Sequence, residues 1–194
     1  MQEIEMESKN LLTKKEYEAI IQFFQLSEEQ AKTQINYYFE TSDFKLKANG
    51  AALRIRKKDN DWVLTLKQPY QDGLIETHDS LSEIEAMQAI EGKMIDKPNV
   101  NKQLNKLNIS INDLQYGGYL QTDRLEVTYK EGLVVIDYSI YNGKSDYELE
   151  VEAVSKITSE TIMQELMEHL NIKKKATPNK IERFYQTLTQ SNEL

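Results

Sequence analysis

Apolar and polar side chains trade places at nearly every residue in Leu53-Arg54-Ile55-Arg56 and in Leu64-Thr65-Leu66-Lys67. That is the period of a β-strand with one face buried. The same alternation runs through Leu125-Glu126-Val127-Thr128, Ile136-Asp137-Tyr138-Ser139 and Glu148-Leu149-Glu150-Val151-Glu152. Together with an early stretch at Glu5-Met6-Glu7-Ser8-Lys9, it predicts eight strands, over residues 5–9, 34–40, 51–58, 61–67, 74–80, 120–130, 133–141 and 147–154. Turn signals separate them: Asn49-Gly50, Asp59-Asn60, Pro69 with Asp72-Gly73, Glu131-Gly132 and Asn142-Gly143. The strands fall in two clusters of mainly antiparallel neighbours.

Helical spacing fills the gaps. Thr13 and Glu16 form a capping-box pattern ahead of Tyr17, Ile20, Ile21 and Phe24, predicting a helix over residues 13–24. Ser82 with Glu85 caps a second helix running towards Glu91, and a short third is read over residues 99–107 after Pro98. Thr158 or Ser159 is the expected cap of a helix carrying Ile162, Leu166, Met167 and Leu170. A last helical segment is read over residues 179–188, after Pro178.

Composition narrows the classes. At 194 residues the chain has ample length for a core, and one domain over residues 1–194 is the expectation. Without cysteine there are no disulfides or thiolate metal sites, and two histidines argue against a His-rich zinc site. No apolar run approaches the roughly 18 residues of a membrane span, and the acidic start lacks a secretory h-region, so a cytoplasmic protein with no membrane partner is expected. A formal net charge of −8 argues against a general nucleic-acid binder, while leaving room for a local basic cavity.

Charge changes the picture most when read face by face. Arg54 and Arg56 share a face with Lys58 beyond, and Thr65 shares one with Lys67. Arg124, Glu126 and Thr128 share another, as do Asp137 and Ser139, and Glu148, Glu150 and Glu152. Solvated faces of an open sheet are the plain explanation. Yet the charges are sorted, acids at Glu5/Glu7 and Glu148/Glu150/Glu152, bases at Arg54/Arg56, Lys67 and Arg124. Carboxylates one strand repeat apart suit a hard cation such as Mg²⁺ or Mn²⁺. Paired arginines suit phosphate oxygens, and Lys9 beside the first acid pair suits a phosphate on the same ion.

The ordered series Glu5-x-Glu7-x-Lys9, Arg54-x-Arg56, Thr65-x-Lys67, Arg124-x-Glu126, Asp137, Glu148-x-Glu150 and Asn179-Lys180-Ile181-Glu182-Arg183 resembles the CYTH domain, the triphosphate tunnel metalloenzyme superfamily, over residues 3–185. The resemblance implies an α+β fold, a closed eight-stranded antiparallel β-barrel with its charged faces inward and helices packed outside. It implies that Glu5, Glu7, Glu148 and Glu150 hold the divalent ion, with Asp137 an acid near it. Lys9, Arg54, Arg56, Lys67 and Arg124 would cradle triphosphate oxygens, and Lys180 would meet phosphate or the attacking water. Arg183, in the same late motif, joins the substrate set. Two departures stand out: Glu152, kept in the metal set, makes a third acid for two expected positions, and Glu76, kept in the substrate set, is a single acid on a strand where relatives often show two.

The implied activity is metal-dependent hydrolysis of a triphosphate, inorganic or organic, such as a nucleotide or thiamine triphosphate. The alternatives are an adenylate cyclase using the same tunnel and a non-catalytic polyphosphate- or nucleotide-binding module. The expected partner is a triphosphate-containing small molecule, and the protein is a monomer or a homodimer. Other residues read more plainly: Trp62 as hairpin packing, Tyr37-Tyr38-Phe39 as strand core, His78 as a surface or wall position, His169 beside a helix C-terminus, and Lys173-Lys174-Lys175 as a solvated run.

Overall fold

The computed structural model describes residues 1–191. The chain forms two compact units, and neither is a continuous stretch. The first joins Met1–Ile4 to Gln34–Leu120; the second joins Glu5–Thr33 to the chain from Gln121 onward.

In the first unit, β1 (Gln2–Glu5, its last residue assigned to the second unit) lies beside β6 (Gly73–Leu81), followed in order by β5 (Asp61–Tyr70), β4 (Ala52–Lys58) and β3 (Lys32–Thr41, in this unit from Gln34 onward). The β3–β4, β4–β5 and β5–β6 pairs are antiparallel. The register sets Leu53 opposite Leu66 and Ile55 opposite Leu64. Because directly paired residues point the same way, these four fully buried side chains form one apolar face. Ala86 and Ala89 of α3 (Glu83–Ile90) and Val100 and Leu104 of α4 (Pro98–Lys106) join them in the core. The expected capping box starts α3: Ser82 Oγ accepts from Glu85 N, and Glu85 Oε2 accepts from Ser82 N at 2.8 Å. A short helix, α2 (Lys45–Ala48), was not foreseen. Its first turn is held by Glu40, whose carboxylate accepts from the backbone N–H of Leu46 and Lys47.

The second unit orders its strands β7 (Leu114–Tyr129), β8 (Gly132–Tyr141), β9 (Lys144–Ala153) and β2 (Glu7–Leu12), all antiparallel. Ile136, Leu149 and Val151 make an apolar face against Tyr17 and Ile20 of α1 (Lys14–Phe23) and Ile162, Met163 and Leu166 of α5 (Lys156–His169). A final helix, α6 (Lys180–Ser191), presents Phe184 to Tyr141, ring centroids 6.5 Å apart. Among the described residues no helix is long and apolar enough to cross a membrane.

The α+β class and the antiparallel pairing are as expected, but among the described residues there are nine strands where eight were predicted. The extra one is β1, most of which lies ahead of the strand predicted over residues 5–9 and shares only Glu5 with it. The ladder breaks at Met6, leaving β1 beside β6 while β2 pairs with β9. Two smaller expectations also shift. Ser155, not Thr158 or Ser159, caps α5, its Oγ accepting from Thr158 N; Ser159 is buried one turn inside, bonded to Ser8 Oγ at 2.9 Å. Gly132 is not a turn residue but the first residue of β8. A Cβ there would lie 3.0 Å from Glu152 O and 3.0 Å from Ile162 Cδ1, so the glycine permits close packing. Asn142-Gly143 is the turn it was read to be, with φ of 47° and 71°, the left-handed pair of a two-residue hairpin.

Candidate active site

In each unit the polar faces of the strands are buried too. On β8, Asp137 has no exposed surface, and on β9 Glu148 is 1% exposed. The plain reading, a solvated sheet face, does not account for carboxylates removed from water, which need paired charges or hydrogen bonds to remain ionised.

The second unit supplies those partners by register. Arg124 on β7 is directly opposite Asp137 on β8, which is directly opposite Glu148 on β9. Arg124 grips Asp137 with two parallel bonds, Nε to Oδ1 at 2.8 Å and Nη2 to Oδ2 at 2.7 Å, and also donates to Glu150 Oε2 at 2.8 Å. Such a fork is the strong, geometrically specific form of an ion pair. From the first turn of α6, Lys180 Nζ reaches Glu150 Oε1 at 2.6 Å, Asp137 Oδ2 at 2.9 Å and Glu148 Oε2 at 3.2 Å. One helical turn on, Arg183 donates to Asp146 Oδ2 at 2.9 Å, to Pro178 O at 2.6 Å and to Glu148.

These environments push the carboxyls apart. Burial raises Glu148, and Glu150 beside it adds to the rise, against the pull of Lys180 and Arg183. Burial also works against ionised Glu150, but Lys180 and Arg124 together hold it well below the usual carboxylate range. Burial works against the charge on Lys180 as well, and is outweighed by Asp137, Glu150 and Glu148, so the ammonium is held well above its ordinary value. Lys180 is thus a fixed cation, suited to steadying negative charge rather than to accepting a proton. One atom of the cluster, Glu148 Oε1, is buried without a hydrogen-bond partner.

The same unit gathers Glu5, Glu7 and Glu152, with a carboxylate oxygen from each within 4.8 Å of the others. Glu7 and Glu152 are register partners across β2 and β9. Burial, and then the carboxylates of Glu5, Glu150 and Glu7, push Glu152 up to about 7 against the pull of Arg124. Three mutually repelling carboxylates with hard oxygen donors are a chemical fit for Mg²⁺ or Mn²⁺. The supernumerary acid Glu152 is therefore the one brought to Glu5 and Glu7, while Glu148 and Glu150 face Lys180, Arg183 and Arg124. Lys9, opposite Glu150 in the register, donates to Glu7 Oε1 at 3.0 Å and to Asn179.

In the first unit, Arg54 lies opposite Thr65, and Lys67 opposite Glu76. Glu76 Oε1 takes an ion pair from Lys67 and a long contact, 3.5 Å, from Arg54. Burial resists ionisation of Glu76, but Arg54 and Lys67 hold it down at about 2. Arg56 Nε donates to Asn36 Oδ1 at 3.0 Å. Arg54 Nε is buried without a partner, a donor directed at no protein oxygen.

Sequence reasoning gave no role to three supporting residues, one of which, Asn179, stands in the late motif. Asn36 orients Arg56, Asn179 accepts from Lys9, and Asp146 anchors Arg183 while accepting from Tyr141 Oη at 2.6 Å. Asp146 had a signal: it is two residues before Glu148, so Asp146, Glu148, Glu150 and Glu152 are four acids at strand period. Among the residues read plainly, Trp62 lies under its hairpin partner Lys57, whose Nζ is 5.0 Å from the ring centroid, and Phe39 is fully buried, both as expected; Trp62 also stacks on Tyr37 at 5.9 Å. Lys175 departs from the solvated reading, donating to Leu11 O at 3.1 Å and pairing with Glu16.

Comparison with known proteins sharpens this picture. A Bacillus subtilis (strain 168) protein named "Putative triphosphatase YjbK" is 43% identical over 190 residues, covering 98% of each chain. The crystal structure of a "putative adenylate cyclase" from Bacillus halodurans superposes with a TM-score of 0.91 at 40% identity, over 95% of this chain and 98% of that one. A Hippeastrum protein, described as a putative adenylyl cyclase with a dominant triphosphatase activity, shares the fold at a TM-score of 0.75 and 18% identity, over 96% of each chain. The family model of the CYTH domain matches residues 3–185, and the chain belongs to the CYTH domain family.

Proposed function

We propose that this protein hydrolyses a triphosphate with the help of a divalent ion. One observation carries the reading: the buried cluster in which Lys180 Nζ lies within 3.2 Å of Asp137, Glu148 and Glu150 while Arg124 clamps Asp137. Phosphoryl transfer asks little covalent chemistry of a protein and much positioning and charge stabilisation. A fixed ammonium and guanidinium, already desolvated and held by carboxylates, need little reorganisation when negative charge develops beside them. The name of the Bacillus subtilis relative supports the same class.

Roles follow from the chemistry of each group. Arg54, Arg56, Lys67, Arg124 and Lys9 bind triphosphate oxygens, and the unpartnered Arg54 Nε is a ready donor for one of them. Lys180 steadies the terminal phosphoryl group or orients the water that attacks it. Glu76 holds Lys67 and Arg54 in place. Arg183 has its donors on Asp146, Glu148 and Pro178, so its part is to position Glu148 and the start of α6 rather than to reach substrate alone. Glu5, Glu7 and Glu152 would hold Mg²⁺ or Mn²⁺, with Glu148, Glu150 and Asp137 as the acids nearest the cationic cluster. A bound divalent ion would neutralise phosphate charge and lower the pKa of a coordinated water. The closure into a barrel implied by the family resemblance is retained as part of this proposal, with nine strands in place of the expected eight.

A second reading, adenylate cyclase, is favoured by the name of the Bacillus halodurans relative. There a ribose hydroxyl replaces water as nucleophile, and the same cations serve. Incubation with ATP separates the two by product: orthophosphate for the hydrolase, a cyclic nucleotide for the cyclase. No turnover with ATP, tripolyphosphate or thiamine triphosphate would leave a binding module.

A further inference from the structure

We propose that Glu3, Glu76 and His78 of the first unit form a binding site for a divalent transition-metal ion, Zn²⁺ or Mn²⁺. The site is built across β1 and β6. His78 Nε2 lies 3.0 Å from Glu3 Oε1 and 3.3 Å from Glu76 Oε2, and all three donor atoms fall within 4.8 Å of one another. In a tetrahedral shell with metal–ligand distances of about 2.0–2.1 Å, neighbouring ligand atoms are about 3.3 Å apart. The two spacings match that geometry without movement of the backbone.

Two further features point to a ligand rather than to a chance contact. The other ring nitrogen, His78 Nδ1, lies 2.9 Å from the hydroxyl of Thr65, which is itself 2% exposed. Metal-binding histidines have their second ring nitrogen held by an oxygen in this way, which fixes the tautomer and aims the free lone pair. With the proton on Nδ1, Nε2 presents that lone pair to the space between the two carboxylates. The oxygens of Glu76 are also divided: Oε1 serves Lys67 and Arg54, while Oε2 is turned to His78. Glu3 is more than half exposed, which leaves a fourth position for water. One nitrogen and two carboxylate oxygens make a borderline donor set, suited to Zn²⁺ or Mn²⁺ more than to Mg²⁺. An ion there would pin β1 to β6, reinforcing the bonds from His78 N to Met1 O at 2.9 Å and from Gln2 Nε2 to Thr77 Oγ1 at 2.9 Å.

The test reads the imidazole directly. With only two histidines in the chain, long-range ¹H–¹⁵N spectra resolve both rings. One equivalent of Zn²⁺ added to the metal-stripped full chain should move the Nε2 resonance of His78 into the ligated range and leave His169 in place. Losing a supporting partner of a metal ligand costs about 10–100-fold in affinity, so losing a ligand, as in Glu3→Gln, should cost at least that. His78→Gln, its fold checked by circular dichroism, should lose the site. The His78 response should survive in Glu7→Gln, which alters the acids of the second unit. An unmoved His78 ring, equal Zn²⁺ affinity in Glu3→Gln, or loss of the response in Glu7→Gln would each overturn the site, whatever the outcome for triphosphate hydrolysis.

Discussion

Lys180 Nζ lies 2.9 Å from Asp137 Oδ2, a carboxylate with no exposed surface. The contact joins the start of the last helix to the centre of the second unit's sheet, and it puts a permanent cation on a buried polar face. If that cation acts mainly on charge that develops during reaction, its loss should appear in kcat more than in KM. Lys180→Ala should lower kcat by about 10²–10³-fold. If Arg56 contacts phosphate both before and during reaction, Arg56→Ala should mainly raise KM. Steady-state kinetics on both folded variants checks the division. The opposite pattern, KM alone moved by Lys180→Ala and kcat abolished by Arg56→Ala, would show the roles to be exchanged.

Arg124 should matter for stability as well as for substrate. Its fork on Asp137 is enclosed, and removing one partner of a buried pair leaves a carboxylate short of compensation. Arg124→Ala should therefore cost about 3–5 kcal/mol in urea unfolding. A loss below about 1 kcal/mol, the range of surface pairs, would mean that Lys180 alone satisfies Asp137.

The proposed metal set can be divided by calorimetry. Glu152 stands with Glu5 and Glu7, whereas Glu148 faces Lys180 and Arg183. Glu7→Gln and Glu152→Gln should both weaken Mn²⁺ binding markedly, and Glu148→Gln should weaken it less. Unchanged affinity in Glu152→Gln would remove that residue from the set.

A pH dependence of stability follows from α3. The bonds to Glu85 from Lys97, from Ser82 N and from Ser82 Oγ bring its carboxyl down to about 2 from an ordinary 4.5. The folded state thus favours the ionised form. Its contribution is complete above pH 4.5 and is lost as pH falls from there towards 2. The melting temperatures of wild type and Glu85→Gln should differ most near pH 6 and converge as pH falls below 4.5. A difference constant across that window would refute the assignment.

How far the sequence could be read depended on the kind of information. Strand alternation and cap chemistry are local, so the β4–β5 hairpin, the Asn142-Gly143 turn and the Thr13 and Ser82 capping boxes were legible. The break at Met6 was not, because nothing in Glu5-Met6-Glu7 distinguishes one strand from two; only the separate partners of β1 and β2 do. The charged faces were legible as faces, but the pairing of each acid was not. Period two puts Glu148, Glu150 and Glu152 on one side, while the register and the arrival of Lys180 and Arg183 decide which acid meets a cation and which meets Glu5 and Glu7. Asn36 and Asn179 are neutral residues whose value lies only in what they hold.

We propose hydrolysis of a triphosphate that depends on a divalent ion. It is tested most directly by incubating the purified chain with tripolyphosphate, ATP and thiamine triphosphate, with Mg²⁺ or Mn²⁺ and again with chelator, while following orthophosphate and cyclic nucleotide. Orthophosphate should appear from at least one of these substrates, release should stop with chelator, and Lys180→Ala should slow it greatly. Cyclic nucleotide as the main product from ATP, or no turnover of any of the three with either metal, would contradict it.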